Sequence, residues 1–242
     1  MMTQVTGKAA LLALSMISAS AFASHWSYEG EGSPQHWGEL DEAYKTCLSG
    51  MNQSPINIDS TAIAHLSPLQ THYVDGPVTL TNNGHTIQAG EQANTRDTLT
   101  LDKQTWTLQQ FHFHAPSENT VHGKRYAMEM HLVHKNASGE LTVVAVMFDK
   151  GTANPELEKL WRVMPQQAEQ NVSTKQDLNL NKLLPKNKTY WRFSGSLTTP
   201  PCSEGVTWIV LKQPLTVSAE QLARFTQTMH HDNNRPVQSL HG

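Results

Sequence analysis

Five of the chain's 13 histidines crowd into one stretch, QFHFHAPSENTVHGKRYAMEMHLVH, from Gln110 to His134. Imidazole is both a metal ligand and a base that works near neutral pH, so the spacing matters. If Gln110 to His114 is a strand, alternate side chains share a face. Gln110, His112 and His114 then lie on one side, and Phe111 and Phe113 on the other. If Ala127 to His134 is the neighbouring strand, Glu129, His131 and Val133 share one face. Met128, Met130, Leu132 and His134 share the opposite one. Side by side, the two strands bring three imidazoles to one point. Three neutral imidazoles suit Zn2+, with a fourth position left open. Gln110 and Glu129 fall on the histidine faces, where acceptors for the outer ring N–H groups belong. A carboxylate among apolar residues also needs a partner, and an imidazole supplies one for Glu129. His-x-His alone is more often surface decoration. The third histidine, with an acid two residues before it, shifts the balance to a metal site. The other histidines, among them His25, His134 and His231, read as solvated or structural. His85 follows Asn83-Gly84 and on its own context is a turn histidine.

The elements that would carry these residues are mostly strands. Short runs rich in β-formers lie between turn residues: PVTLTNNGHTIQA, DTLTLD, TWTLQQFHFH, YAMEMHLVHK, ELTVVAVMFD, YWRFSGSL and VTWIVLK. Several alternate apolar and polar positions, as half-buried strands do. Only two segments have a helical period. Asn154 to Gln167 sets Leu157, Leu160, Trp161 and Met164 on one face. Ser218 to His230 opens with a Ser-x-x-Gln capping box and carries Leu222, Phe225 and Met229. The expectation is a mainly β (α+β) single domain with a few peripheral helices. No internal repeat or low-complexity tract interrupts it.

Composition narrows the function classes. The 242 residues are 38% hydrophobic and 16% charged, enough apolar content for a packed core. The net charge of −3 offers no basic footprint for nucleic acid. Residues 1–23 read as a secretory signal, with Lys8, an apolar run from Ala9 to Ile17, and Ala21-Phe22-Ala23 at the cleavage point. The run is too short to span a bilayer. An ordinary N-terminal helix is the alternative. The mature domain would then cover residues 24–242, in the periplasm or fully secreted. The two cysteines, Cys47 and Cys202, permit one intramolecular pairing in an oxidising compartment. Such a bond contributes about 2–4 kcal/mol. Two free buried thiols are the other possibility.

Seven motifs together, HWSYEGEGSPQHWGEL, NQSPINI, NNGHT, QFHFHAPSENTVHG, EMHLVH, SLTTPPCSEGVTWIVL and NNRPV, resemble those of the α-class carbonic anhydrases across nearly the whole mature chain. HAPSENT and the two cysteines resemble the bacterial secreted branch. The resemblance implies a large twisted, mostly antiparallel central sheet. It implies one zinc per chain on His112, His114 and His131, with Gln110 and Glu129 behind the ligands. It also implies reversible hydration of carbon dioxide to bicarbonate and a proton, by zinc-hydroxide attack with His85 as proton shuttle. Thr198 would accept from the hydroxide and donate to Glu118, and Thr199 would help place bicarbonate. Val133, Val143, Leu197, Val206 and Trp208 would form the carbon dioxide pocket. Tyr28 and Asn83, with Asn82 beside them, would organise water toward His85. Cys47 and Cys202 match the branch's paired cysteines. An acid of pKa about 7 giving its proton to bare water is limited to roughly 10³ s⁻¹, which is why such a reaction needs a local acceptor.

The implied partner is a small-molecule substrate, with no membrane span after signal cleavage, in a monomer or homodimer. The chain ends at Gly242, earlier than is usual in this family, and a short tail is expected to loosen the C-terminal segment. Two rival readings keep the scaffold or the metal and drop the catalysis: a non-catalytic binding protein and an exported zinc carrier. All three histidines, Thr198 and Glu118 are present, which counts against the first. A carrier would hold its ligands on flexible segments rather than in strand patterns.

Overall fold

Strand formation in this chain follows the β-branched and aromatic runs, and one bulge decides which way the histidines face. The computed structural model describes residues 25–59, 61–90 and 96–240, so the expected signal segment lies outside the described residues. Eight strands form the main path of an eleven-stranded sheet. They are β1 (Thr79–Asn82), β2 (Ile87–Gly90), β3 (Gln104–His114), β4 (Met128–Lys135), β5 (Leu141–Lys150), β6 (Gln170–Ser173), β7 (Tyr190–Ser196) and β8 (Glu204–Leu211). Their order across the sheet is β6-β1-β2-β3-β4-β5-β8-β7. Pairing is mostly antiparallel, as expected. The exceptions lie on β5, which runs parallel to β8 and to Leu215–Val217.

In β3 the register against β4 shifts between Leu108 and Gln110, leaving Gln109 as an extra residue. A bulge of this kind re-aims every side chain beyond it. Before it, the even-numbered Trp106 and Leu108 face the core; after it, the odd-numbered Phe111 and Phe113 do. His112 and His114 are thereby turned to the opposite face.

The sheet is apolar on both sides, and each side has its own cluster. Phe111, Phe113, Met128, Met130, Leu132, Val144, Val146 and Phe148 pack against two helices on one side. These helices are α1 (Pro155–Trp161) and α2 (Ala219–Met229), which contribute Leu157, Leu160, Trp161, Phe225 and Met229. Full burial of each such side chain is worth about 1.5–3 kcal/mol. Val143, Ala145 and Met147 point the other way and join Val206, Trp208 and Val210. Asn154 caps α1 through Glu156 and Leu157 N–H, and the Ser218–Gln221 capping box opens α2 as its sequence indicated. Helix α1 stops at Trp161, short of the expected Gln167. Pro165 disfavours helical backbone at the residue before it, and Met164 stays buried on the turn instead. Among the described residues no helix is long and apolar enough to cross a membrane.

His134 faces the helix side of the sheet, fully buried. Its Nδ1 lies 3.0 Å from the Leu132 carbonyl, which can only accept, so Nδ1 carries the hydrogen. Nε2 then accepts from the Tyr73 hydroxyl at 2.8 Å. Burial is the main reason its pKa falls to about 3. The unfolded chain takes up this proton near pH 6.5 and the folded chain does not. The contribution to stability is complete above about pH 6.5 and is lost as pH falls toward 3, at up to about 1.4 kcal/mol per pH unit. Urea unfolding over this range is expected to show a shallower pH dependence for His134→Gln than for the wild type. Equal slopes would mean that His134 is charged in the folded state.

Candidate metal centre

Antiparallel pairing places His112 directly opposite His131, and His114 opposite Glu129. The three rings stand edge to face or tilted, with centroids 5.0 Å (His112–His114), 5.3 Å (His112–His131) and 4.6 Å (His114–His131) apart. One nitrogen from each ring lies within 4.8 Å of the other two.

The outer nitrogens determine which ones those are. His112 Nδ1 donates to Gln110 Oε1 at 2.7 Å, and His114 Nδ1 donates to the Asn233 carbonyl at 2.7 Å. His131 Nε2 donates to Glu129 Oε1 at 2.9 Å. These acceptors leave lone pairs on His112 Nε2, His114 Nε2 and His131 Nδ1, all turned inward. Burial lowers the pKa of all three histidines, so each is neutral and ready to ligate. His114 Nε2 is buried without a hydrogen-bond partner. Left so, it costs about 1–3 kcal/mol; a metal ion removes that penalty. The donor set therefore fits Zn2+.

Two carboxylates stand behind the imidazoles. Glu129 is fully buried and accepts from Glu118 N–H, Asn119 N–H, the Asn119 amide and His131. Burial raises its pKa, and the Asn119 donors oppose that rise. Glu118 is equally buried, and its Oε1 accepts from Arg235 N–H at 2.8 Å. Its Oε2 makes no hydrogen bond of ordinary geometry and lies 3.5 Å from His114 Nε2 and 3.9 Å from His131 Nδ1. Burial pushes the Glu118 carboxyl up to about 8, against the lowering effects of the Thr198 hydroxyl and the Arg235 N–H. A divalent cation beside it would favour the ionised form again.

One wall of the site is apolar. Val143 pairs with Val133 on one side and with Trp208 on the other. Val206 joins the same cluster, and Leu197 packs on it partly buried. The Trp208 ring meets the His131 ring at 4.9 Å, and its N–H donates to the Ser196 carbonyl. Thr198 is buried, while Thr199 is half-buried and its carbonyl accepts from Cys202 N–H at 2.8 Å. Cys202 is bonded to Cys47 across 155 residues, so the expected pairing is present. Gln53 donates to the Cys202 carbonyl and to Glu204. The disulfide thus anchors the loop that presents Thr198 and Thr199.

The rim holds His85 on the turn between β1 and β2. Gly84 takes φ +82°, the left-handed region that glycine enters without strain. Asn83 Oδ1 accepts from His85 and Thr86 N–H, so that oxygen serves the turn. The His85 ring stacks on Trp26 at 3.6 Å and on His25 at 5.0 Å. Burial, aided by His25 and His231, lowers its pKa to about 4. Tyr28 lies near both Glu118 and Arg235, and burial raises its pKa well above the usual phenol value.

Asn119, Asn233, Arg235, Trp26 and His25 were missed as site residues by sequence reasoning. Asn233 and Arg235 fall in the NNRPV motif, so a signal was present without a role attached. Arg235 is buried and donates to Gln53, to the Ser54 carbonyl and to the Cys47 carbonyl. At the C-terminal end, Gln238 N–H donates to the Pro55 carbonyl at 2.8 Å.

Three inward imidazole lone pairs beside an apolar wall form a group able to bind one metal ion. A profile of the eukaryotic-type carbonic anhydrase family matches residues 32–242. A carbonic anhydrase of Klebsiella pneumoniae is 71% identical over 236 residues, covering 98% of this chain and 96% of that one. One from Pectobacterium carotovorum is 50% identical over 96% of this chain and 95% of that one. The solved α-carbonic anhydrase of Thermovibrio ammonificans, in complex with sulfanilamide, superposes with a TM-score of 0.87. It is 49% identical and covers 90% of this chain and 96% of that one. The chain belongs to the eukaryotic-type, or alpha, carbonic anhydrase family, and is an enzyme of that family.

Replacing Glu129 by Gln removes the charge behind His131 while keeping its shape. Zinc affinity, measured against a competing chelator, is expected to fall about 10- to 100-fold with the near-ultraviolet spectrum unchanged. Wild-type affinity in this variant would show that the carboxylate does not support the ligand.

Proposed function

We propose that this chain is an exported zinc enzyme that interconverts carbon dioxide and bicarbonate. Family membership supports the reaction. The observation that carries the zinc assignment is the convergence of three imidazole nitrogens within 4.8 Å of one another. Export is supported by the Cys47–Cys202 disulfide, which suits an oxidising compartment such as the periplasm. The proposed domain boundary after residue 23 rests on the sequence of that segment.

His112, His114 and His131 hold the ion, and Gln110, the Asn233 carbonyl and Glu129 keep each ring in its ligating tautomer. When bound, zinc lowers the pKa of a coordinated water to about 7, a value known from carbonic anhydrases themselves. The chain's own residues do the rest. Val133, Val143, Leu197, Val206 and Trp208 offer carbon dioxide an apolar surface beside the imidazoles, where water binds poorly. With Glu118 ionised beside a bound cation, Thr198 would donate its hydrogen to that carboxylate, so only lone pairs would face the open position. It therefore selects a nucleophile that carries a hydrogen and fixes the direction of its attacking lone pair. Thr199 helps seat the bicarbonate product. Tyr28 and Asn83 line the polar side along which a proton leaves, and His85 accepts it. Burial and the neighbouring His25 and His231 weaken His85 as a base where it stands, stacked on Trp26.

Stopped-flow hydration on residues 24–242, with zinc measured on the same sample, tests this reading. Rapid hydration with about one zinc per chain, abolished by a chelator and restored by zinc, is the expected result. Bound zinc without hydration would leave a non-catalytic scaffold or a carrier. His112→Ala is expected to lose both zinc and activity. A fully active His112→Ala would remove this histidine from the ligand set.

A further inference from the structure

His25, His85 and His231, from three distant parts of the chain, stand near one another. His85 lies in an aromatic stack, with Trp26 at 3.6 Å and 10° and His25 at 5.0 Å and 25°. His231 stands apart from that stack, its ring 5.7 Å from that of Tyr28. Tyr28 in turn is close enough to Glu118 and Arg235 to feel both charges. The backbone around His231 is tied to the metal cup at three points. The Asn233 carbonyl accepts from His114 Nδ1 at 2.7 Å, and the Asn233 amide donates to the His85 carbonyl at 3.0 Å. Arg235 N–H donates to Glu118 at 2.8 Å. His231 is half-buried, and its Nδ1 lies 3.1 Å from the Asp232 carbonyl. A carbonyl can only accept, so Nδ1 carries the hydrogen and Nε2 keeps a lone pair.

We infer that His231 is a second proton acceptor for the reaction, taking the proton released in the cleft onto Nε2 and passing it to external buffer. The inference rests on the proposed carbon dioxide hydration. In the step, an N–H bond forms at Nε2 as an O–H bond of an adjacent water breaks; the proton released by carbon dioxide hydration restores that water, and buffer base then removes the proton from Nε2. Histidine changes charge between about pH 5 and 8, the range such a relay needs. The groups around it are His25, His85 and Tyr28 on the rim, Asp232 next in the chain, and Glu118 and Arg235 below. His25 and His231 both disfavour charge on His85.

Stopped-flow hydration in weak buffer of the zinc-loaded wild type, His231→Ala, His85→Ala and the double variant tests this. The ratio kcat/KM reports steps up to bicarbonate formation, and kcat includes proton departure. Expected is an unchanged kcat/KM in all four, a several-fold lower kcat in His231→Ala, and a further fall of roughly tenfold in the double variant relative to His85→Ala. Imidazole buffer should restore kcat. A His231→Ala enzyme with wild-type kcat, and no added loss in the double variant, would overturn the inference. So would a loss of kcat/KM, or of zinc, that imidazole does not rescue, because that is a structural effect. A zinc-loaded wild type that hydrates no carbon dioxide would sink the functional reading itself, a failure visible before any variant is compared.

Discussion

Every other feature of the site depends on holding the outer N–H of each of the three converging imidazoles. An unrestrained imidazole can present either nitrogen and can rotate. Here each ring has one acceptor of fixed position: an amide oxygen for His112, a main-chain carbonyl for His114 and a carboxylate for His131. The acceptors dictate the tautomers, and the tautomers turn three lone pairs to one point. The arrangement is asymmetric. Two rings point Nε2 inward and one points Nδ1, because Glu129 bonds the far nitrogen of His131.

That constraint is met by a sheet rather than by loops. The ligands stand on β3 and β4 near the middle of the sheet, with β2 on one side and β5 on the other. Their backbones are fixed by hydrogen bonds on both edges. Beneath them Phe111, Phe113, Met130 and Leu132 close the helix side of the sheet. Apolar packing thus sets the strand positions, and the polar layer above uses them. The buried carboxylates follow from the same logic. Glu129 is tolerated because four donors surround it, and Glu118 sits with one oxygen held and the other turned to the imidazoles.

The C-terminal strap and the disulfide give the site its remaining walls. Asn233 and Arg235 reach the ligand His114, the turn of His85 and Glu118, and Arg235 also holds the Cys47 carbonyl. Cys47–Cys202 joins that region to the Thr198–Thr199 loop. Segments far apart in sequence converge there, so the cleft is a product of long-range closure rather than of local structure.

The sequence by itself determined the strand periods, the Ser218–Gln221 capping box and the face shared by His112 and His114. Those depend on residues one to four apart, and side-chain alternation or helical spacing expresses them directly. It also carried the family motifs, and with them the three histidines that converge and the Cys47–Cys202 pairing. Only the tertiary structure decided the rest. The bulge at Gln109 is invisible in an alternating pattern, because Trp106, Leu108, Phe111 and Phe113 look alike as apolar residues. The Asn233 carbonyl acting on His114 is a main-chain group, which no side-chain pattern announces. His25, Trp26, His85 and His231 meet through the closure of the chain, and burial with the two neighbouring histidines lowers the His85 pKa. Contacts of this range depend on how the whole chain packs, and a local pattern holds no record of them.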